Sequence, residues 1–194
     1  MSIIAVTGGT GFVGGHVLDL ALGAGHQVRA LTRRPQRDRT GVTWVEGALD
    51  RPDSLAALVA GASAVLHVAG VINAPDRAGF AAGNIEGTRA VIAAAQNAGI
   101  RRFVQVSSLA AREPELSAYG WSKREADALL MASSLDWTIV RPPAIFGPRD
   151  HEMLELFRLA KWRVIPLPPA GGRMSVIAVE DLARLLVALP LSNA

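Results

Sequence analysis

Tyr119-Gly120-Trp121-Ser122-Lys123 sets a phenol and an ammonium four residues apart. On a helix, positions i and i+4 share a face, so both groups can point at one place. A nearby ammonium favours phenolate and lowers a tyrosine's pKa, which would make Tyr119 a proton donor and acceptor near neutral pH. The chain has a single tyrosine and only two lysines, so composition alone rarely produces this spacing. Taken alone, the pair could equally be a solvent-facing helix contact. A second source of chemistry is Phe103-Val104-Gln105-Val106-Ser107-Ser108. Hydroxyls at the carboxyl end of a central strand face a ligand crevice, where one can hold a substrate oxygen while Tyr119 moves the proton. Adjacent serines also suit a plain turn or cap.

The residues that would bring a ligand to these groups stand at the amino end. An apolar strand-like run, Ile3 to Val6, leads straight into Gly8, Gly11 and Gly14, and a helical stretch follows over 12–23. Glycines let the backbone turn tightly and approach a pyrophosphate, and the helix N-terminus offers free N–H groups and a positive dipole end. The placement between strand and helix points to a dinucleotide cofactor. An acid at the end of the second strand would hold the ribose 2′-OH of NAD. Here the strand ends Leu31-Thr32-Arg33-Arg34. Thr32 takes the acid's place, and the two guanidiniums could fork a phosphate. NADP(H) is therefore favoured over NAD(H), against the blander reading of an ordinary basic loop.

Elements able to position these groups alternate along the chain. Strands are expected at 3–6, 27–32, 42–46, 64–69, 102–107 and 137–140. Helical patterns lie near 12–23, 53–60, 80–98 and 118–133, with Asp53-Ser54 and Ser117 as starts and Gly99 as a stop. Strands four and five are almost wholly apolar, as for strands buried on both faces. The alternation predicts an α/β, doubly wound, Rossmann-like parallel sheet. After Arg141-Pro142-Pro143 the composition changes. Residues 142–178 are expected to form a partial substrate-binding segment within one unit of 1–194. In it, Glu152 to Trp162 places Met153, Leu156, Phe157 and Ala160 on one face, either packed on the core or walling a pocket. A last helix, Glu180 to Leu189, would leave part of its leucine stripe uncovered together with Phe157 and Trp162.

Composition narrows the remaining classes. Half of the residues are hydrophobic and 19% charged, which excludes a disordered chain. The absence of cysteine rules out disulfides, a thiol nucleophile and a Cys-ligated metal, and four scattered histidines give no metal spacing. The net charge of +3 comes mostly from dispersed arginines, so nucleic acid is a poor partner. No charged leader precedes Ile3, and no apolar run reaches membrane-spanning length. A soluble cytoplasmic protein without membrane contact is expected.

Together these motifs resemble the extended short-chain dehydrogenase/reductase family, the NAD(P)-dependent epimerase/dehydratase superfamily. The resemblance runs over Thr7-Gly8-Gly9-Thr10-Gly11-Phe12-Val13-Gly14, His67-Val68-Ala69-Gly70, Asn84-Ile85-Glu86-Gly87-Thr88 and Ser107-Ser108. It continues through Tyr119 with Lys123, Arg141 to Pro148, and Val179-Glu180-Asp181-Leu182-Ala183. It implies a catalytic set of Ser108, Tyr119, Lys123 and Asn84, with Tyr119 as acid/base, Lys123 at the nicotinamide ribose, Ser108 as the catalytic serine and Asn84 beside the crevice. It also places Thr10, Phe12, Val13, Ala69, Gly70, Ser107, Pro142 and Ile145 along the cofactor. Ala48 stands where relatives often carry an acid, leaving adenine to backbone and to packing near Leu49.

Extended members usually run about a hundred residues further. By resemblance the chain is thus a compact member or a truncated one, with a short carboxyl-terminal substrate lobe. Relatives also pair through the helices near 80–98 and 118–133, where Ala90, Val91, Ala94, Ala95, Ala126, Leu129 and Leu130 could form a homodimer seam or merely cover the sheet. The expected activity is hydride transfer to or from a small, rather apolar carbonyl or alcohol. The alternatives are a nucleotide-sugar epimerase or dehydratase, and a non-catalytic NADP-binding redox sensor or complex-assembly protein.

Overall fold

The computed structural model describes residues 2–150, 154, 158, 159, 161–163 and 173–191. Six parallel strands, β1 (Ile3–Thr7), β2 (Gln27–Thr32), β3 (Val42–Glu46), β4 (Ala64–His67), β5 (Arg102–Val106) and β6 (Asp136–Val140), lie in the order β3-β2-β1-β4-β5-β6. The order reverses between β1 and β4, which opens a crevice at their carboxyl ends. Side chains alternate across the strands. Ile4, Val6, Leu66 and Val104 pack with α1 (Phe12–Gly23) on one face. Ala5, Val65 and Phe103 pack on the other with α2 (Pro52–Val59), α4 (Gly87–Asn97) and α5 (Ala118–Met131). This is the doubly wound Rossmann-like sheet that the alternation predicts.

Several local expectations need correction. β4 and β5 end at His67 and Val106, short of Ala69 and Ser107, because the chain leaves the sheet there to line the crevice. α2 starts at Pro52 with Arg51 before it, and its Ser54 hydroxyl bonds the Arg51 and Ala48 carbonyls instead of capping. A proline suits the first helical position because its missing N–H would be unpaired there anyway. The helix expected over 80–98 is three pieces: α3 (Arg77–Phe80), a wide π turn (Ala81–Glu86) and α4. Asp76 starts it, its side chain accepting from the Gly79 N–H at 2.8 Å. Ser117 caps α5 by accepting from the Gly120 N–H at 2.9 Å. A parallel pair of three-residue strands, β7 (Ala144–Phe146) and β8 (Val176–Ala178), was not anticipated. Met153, Leu156, Phe157 and Ala160 of the expected amphipathic helix lie outside the described residues.

The last helix, α6 (Val179–Ala188), packs on α1. Its Leu182 and Leu186 are fully buried with Val17, Leu18 and Ala21, whereas Leu185 and Trp162 are exposed. The expected uncovered stripe is thus reduced to single positions. Arg102 secures the end of α6: its guanidinium donates to the Leu189 carbonyl at 2.9 and 3.1 Å and to Thr138 Oγ1 at 2.9 Å. Val91, Ala95, Ala126 and Leu130 are buried within the chain, so most of the proposed seam covers the sheet; Ala90, Ala94 and Leu129 are only partly buried.

Burial makes α6 a structural member of this domain. Leu186→Ala should destabilise the chain by about 2–5 kcal/mol, the range for a buried leucine truncated in a core. Leu185→Ala, at an exposed position, should stay within about 0.5 kcal/mol. Urea unfolding of the two variants checks the contrast.

Candidate functional site

The turn after β1 is set by close backbone approach. Gly8 has φ +74°, and a Cβ there would stand 2.7 Å from the Ala69 nitrogen. A Cβ on Gly14 would fall 2.0 Å from the Gly8 carbonyl oxygen, so a side chain at either place would displace the turn. The Gly11 N–H donates to that same carbonyl at 3.0 Å. Gly11 gives α1 no side-chain cap, and the first turn holds no acid. The leading N–H groups of α1, at Phe12, Val13 and Gly14, therefore keep their capacity for an anion. This cradle fits a pyrophosphate.

The turn opens onto a cavity of about 1520 Å³ over the carboxyl ends of the strands. Pockets for drug-sized ligands run to about 300–1,000 Å³, so a dinucleotide and a substrate can share this one. Gly8, Thr10, Gly11, Phe12, Val13 and Gly14 form one end with Arg33, Ala48 and Leu49. Ala69, Gly70, Ser107 and Ser108 border the middle, and Tyr119, Lys123, Pro142 and Ile145 the other end. Two expected residues are not among those lining it. Arg34 is one, and its carbonyl accepts from Thr32 Oγ1 at 2.7 Å.

Asn84 is the other. Its Oδ1 accepts from the Val71 N–H at 2.7 Å, while Nδ2 donates to the Val71 carbonyl and to Ser122 Oγ, each at 2.9 Å. Through these bonds Asn84 clamps the loop after β4 to α5 and positions the crevice wall, with one lone pair of Oδ1 still open. The wide π turn aims it there, a distortion frequent at functional sites.

Ser108 lies close enough to Tyr119 to act on its titration, and Phe80 supports the phenol ring at 6.1 Å between centroids. The Ser108 hydroxyl also accepts from the Ala110 N–H at 3.2 Å. Burial raises the Tyr119 pKa above its ordinary value, and the nearby Ser108 hydroxyl lowers it by less. This reverses the lowering expected from the ammonium four residues on. The reason is local: Lys123 Nζ donates to the Val106 carbonyl at 2.8 Å, and burial pulls its own pKa down to about 8, partly offset by Asp127. Tyr119 is thus a neutral phenol at neutral pH, ready to give a proton. Ser107 has a buried hydroxyl without a hydrogen-bond partner among the described residues, an open valence on the cavity wall.

Beneath the cavity lies a polar row that sequence reasoning missed. Thr7 pairs in register with His67, and His67 with Gln105. Thr7 Oγ1 and His67 Nδ1 are 2.7 Å apart, and His67 Nε2 reaches Thr88 Oγ1 on α4 at 3.1 Å. Gln105 Nε2 donates to Asp127 Oδ1 on α5 at 2.8 Å, and Arg141 Nε to Asp127 Oδ2 at 2.8 Å. Burial, with Lys123 nearby, pushes His67 down to about 3, so it is neutral. That depressed value means His67 favours the folded state above its unfolded pKa and loses this contribution as pH falls toward 3. Sequence reasoning also missed Val71, Ile72, Leu116, Arg173 and Met174 on the cavity wall. Exposed loop side chains carry no periodic signal. Among the described residues no cluster of His, Asp and Glu could hold a metal ion, and no helix is long and apolar enough to cross a membrane.

Because Tyr119 is the sole tyrosine, a near-ultraviolet absorbance titration reads its phenol alone. The midpoint should lie above the ordinary tyrosine value of 10.0. Ser108→Ala, which removes a hydroxyl favouring phenolate, should move it higher still. A midpoint below 10 would restore the ammonium-lowered reading.

Comparison with known proteins follows this geometry. Residues 8–189 match the NAD(P)H-binding family. The ceramide reductase of Caulobacter vibrioides is 44% identical over 191 residues, covering 96% of this chain and 60% of that protein. The chain thus spans about three-fifths of that relative's length. A short-chain dehydrogenase/reductase superfamily protein from Agrobacterium tumefaciens, solved with bound NAD, superposes with a TM-score of 0.76 at 27% identity, covering 96% of this chain and 73% of its own. The Bordetella bronchiseptica enzyme WbmH, in complex with NAD+, shares the fold with a TM-score of 0.84 at 23% identity, over 99% of this chain and 73% of its own. With the glycine turn, the reversed strand order and the Ser108–Tyr119–Lys123 grouping, these likenesses place the chain in the NAD(P)H-binding family, within the extended short-chain dehydrogenase/reductase superfamily.

Proposed function

We propose that the chain is an NADP(H)-dependent oxidoreductase acting on an apolar carbonyl or the matching alcohol, with Tyr119 moving the proton. The observation that carries this reading is that the glycine turn, Arg33, Ser108, Tyr119 and Lys123 all line one cavity. The dinucleotide, when bound, would supply or accept hydride at its nicotinamide ring. The turn and the N-terminus of α1 would hold its pyrophosphate, and Lys123 its nicotinamide ribose. Ser108 orients the substrate oxygen and Tyr119 protonates it. A phenol held neutral by burial suits the reducing direction.

Arg33, exposed beside the cavity and next to Thr32 rather than an acid, supports preference for a 2′-phosphate. Ile72, Leu109, Leu116 and Met174 are exposed apolar side chains on the same cavity, which suits an apolar substrate. The name of the 44%-identical relative makes long-chain amide lipids the first carbonyl class to try. We place the enzyme in the cytoplasm. Self-association through α4 and α5 would rest on Ala90, Ala94 and Leu129, and light scattering that finds only monomer removes it.

A panel of ketones, aldehydes and quinones, ketone analogues of ceramide and nucleotide sugars, assayed by NADPH oxidation, tests the activity. Tyr119→Phe should keep cofactor binding and lose about a hundredfold or more in turnover; normal turnover would overturn the mechanism. Arg33→Ala should weaken NADPH by about tenfold or more, as a charge-assisted bond of about 1.5–3 kcal/mol requires, and leave NADH unchanged. Equal binding of both cofactors by the unmodified protein would refute the preference. Lys123 must be charged to bind, so NADPH affinity should be full at neutral pH and decline as pH rises through its value of about 8.

A further inference from the structure

Asp127 stands one helical turn beyond Lys123 on α5 and is the one fully buried carboxylate among the described residues. It is not among the residues lining the cavity. An ion so far from water persists only with charged or hydrogen-bonding partners, and both of its oxygens have them: Gln105 Nε2 on Oδ1 and Arg141 Nε on Oδ2, each at 2.8 Å. Lys123 is itself almost wholly buried, and its ammonium donates to the Val106 carbonyl. We infer that Asp127, gripped by Gln105 and Arg141, is the positioning residue that keeps Lys123 charged and aimed at the crevice. This builds on the role given to Lys123 above.

The charges around Lys123 settle which group can do this. β4 brings His67, which is neutral. The π turn brings Asn84, which carries no charge, and α5 brings Tyr119, a neutral phenol. The segment after β6 brings Arg141, a like charge. Glu86 of the same π turn is exposed and paired with Arg89, so Asp127 is the one buried negative group among these, and it acts on Lys123 across one turn of helix, its oxygens being already occupied. The path between them is dry, so the attraction is weakly screened. The Arg141 side chain is 30% exposed, so water screens its repulsion of Lys123 more. Gln105 ties the carboxylate to the floor of the sheet, and this fixes its distance from the ammonium.

The chain has two lysines, Lys123 and Lys161. NMR of isotope-labelled lysine therefore reads the Lys123 ε-carbon, with Lys161→Arg identifying the other signal. In the unmodified protein the titration midpoint should fall near 8. Asp127→Asn, nearly isosteric, should lower it by about one pH unit or more, and Asp127→Glu should restore most of it. Asp127→Ser, a smaller neutral side chain, should lower it likewise and decides the matter if Asp127→Asn fails to fold. A midpoint unchanged in folded Asp127→Asn or Asp127→Ser overturns the inference. The titration needs neither cofactor nor substrate. If the midpoint moves while the pH dependence of NADPH affinity does not, Asp127 keeps its role and Lys123 loses its place at the ribose.

Discussion

The crevice depends on the buried polar floor beneath it, where every side-chain nitrogen and oxygen but Gln105 Oε1 has a partner among the described residues. Here the floor is the row Thr7, His67 and Gln105, three neighbouring residues on the central strands β1, β4 and β5. Everything that shapes the crevice hangs from it. Thr7 Oγ1 accepts from the Ala69 N–H at 3.2 Å and so fixes the loop leaving β4. His67 ties the sheet to α4 through Thr88, and Gln105 ties it to α5 through Asp127. Each bond is modest in net terms, about 1 kcal/mol, but leaving a buried partner unpaired costs more. The row therefore specifies where α4 and α5 sit to a degree that apolar packing, which tolerates sliding, would not.

Helix α5 converts that placement into a site. Tyr119, Lys123 and Asp127 follow one another at four-residue steps and so share a face. The phenol lies near Ser108, the ammonium reaches the β5 carbonyl at Val106, and the carboxylate is held to the floor by Gln105. Ser122, on the adjoining face, is tied to Asn84, whose amide in turn holds the loop at Val71. The sheet, the π turn and the β4 loop thus all converge on a single helix.

Much of this was legible in the residues. The glycine turn, six strands and the Tyr119–Lys123 spacing are local signals, because a turn, a period or an i, i+4 pair is complete within a few residues. What was not legible depends on neighbours far along the chain. Strands four and five read as apolar, yet His67 and Gln105 meet only when β4 and β5 align. The π turn leaves no residue signature, since Asn84 is drawn into it by Val71 and Ser122. Strands β7 and β8 are three residues each, too short for alternation to register. Arg33 and Arg34 are equivalent as letters, and only the turn decides that the first borders the cavity and the second does not.

The least expected result is the direction in which two pKa values move, and it has consequences for how the site changes charge. Proximity alone makes a lysine beside a tyrosine an activator. Burial outweighs proximity here: the phenol is driven up and the ammonium down, because each charged form loses water. The two groups therefore store their protons differently from a solvent-exposed pair. The Lys123 proton is held with little to spare near neutral pH, and the phenol proton firmly. An anion settling on the crevice would add negative charge near Lys123 and stabilise its protonated form. The same anion disfavours a second negative charge, so the Tyr119 phenol keeps its proton. Protonation of the pair is thereby linked to occupancy of the cavity, with Asp127 setting the baseline from below.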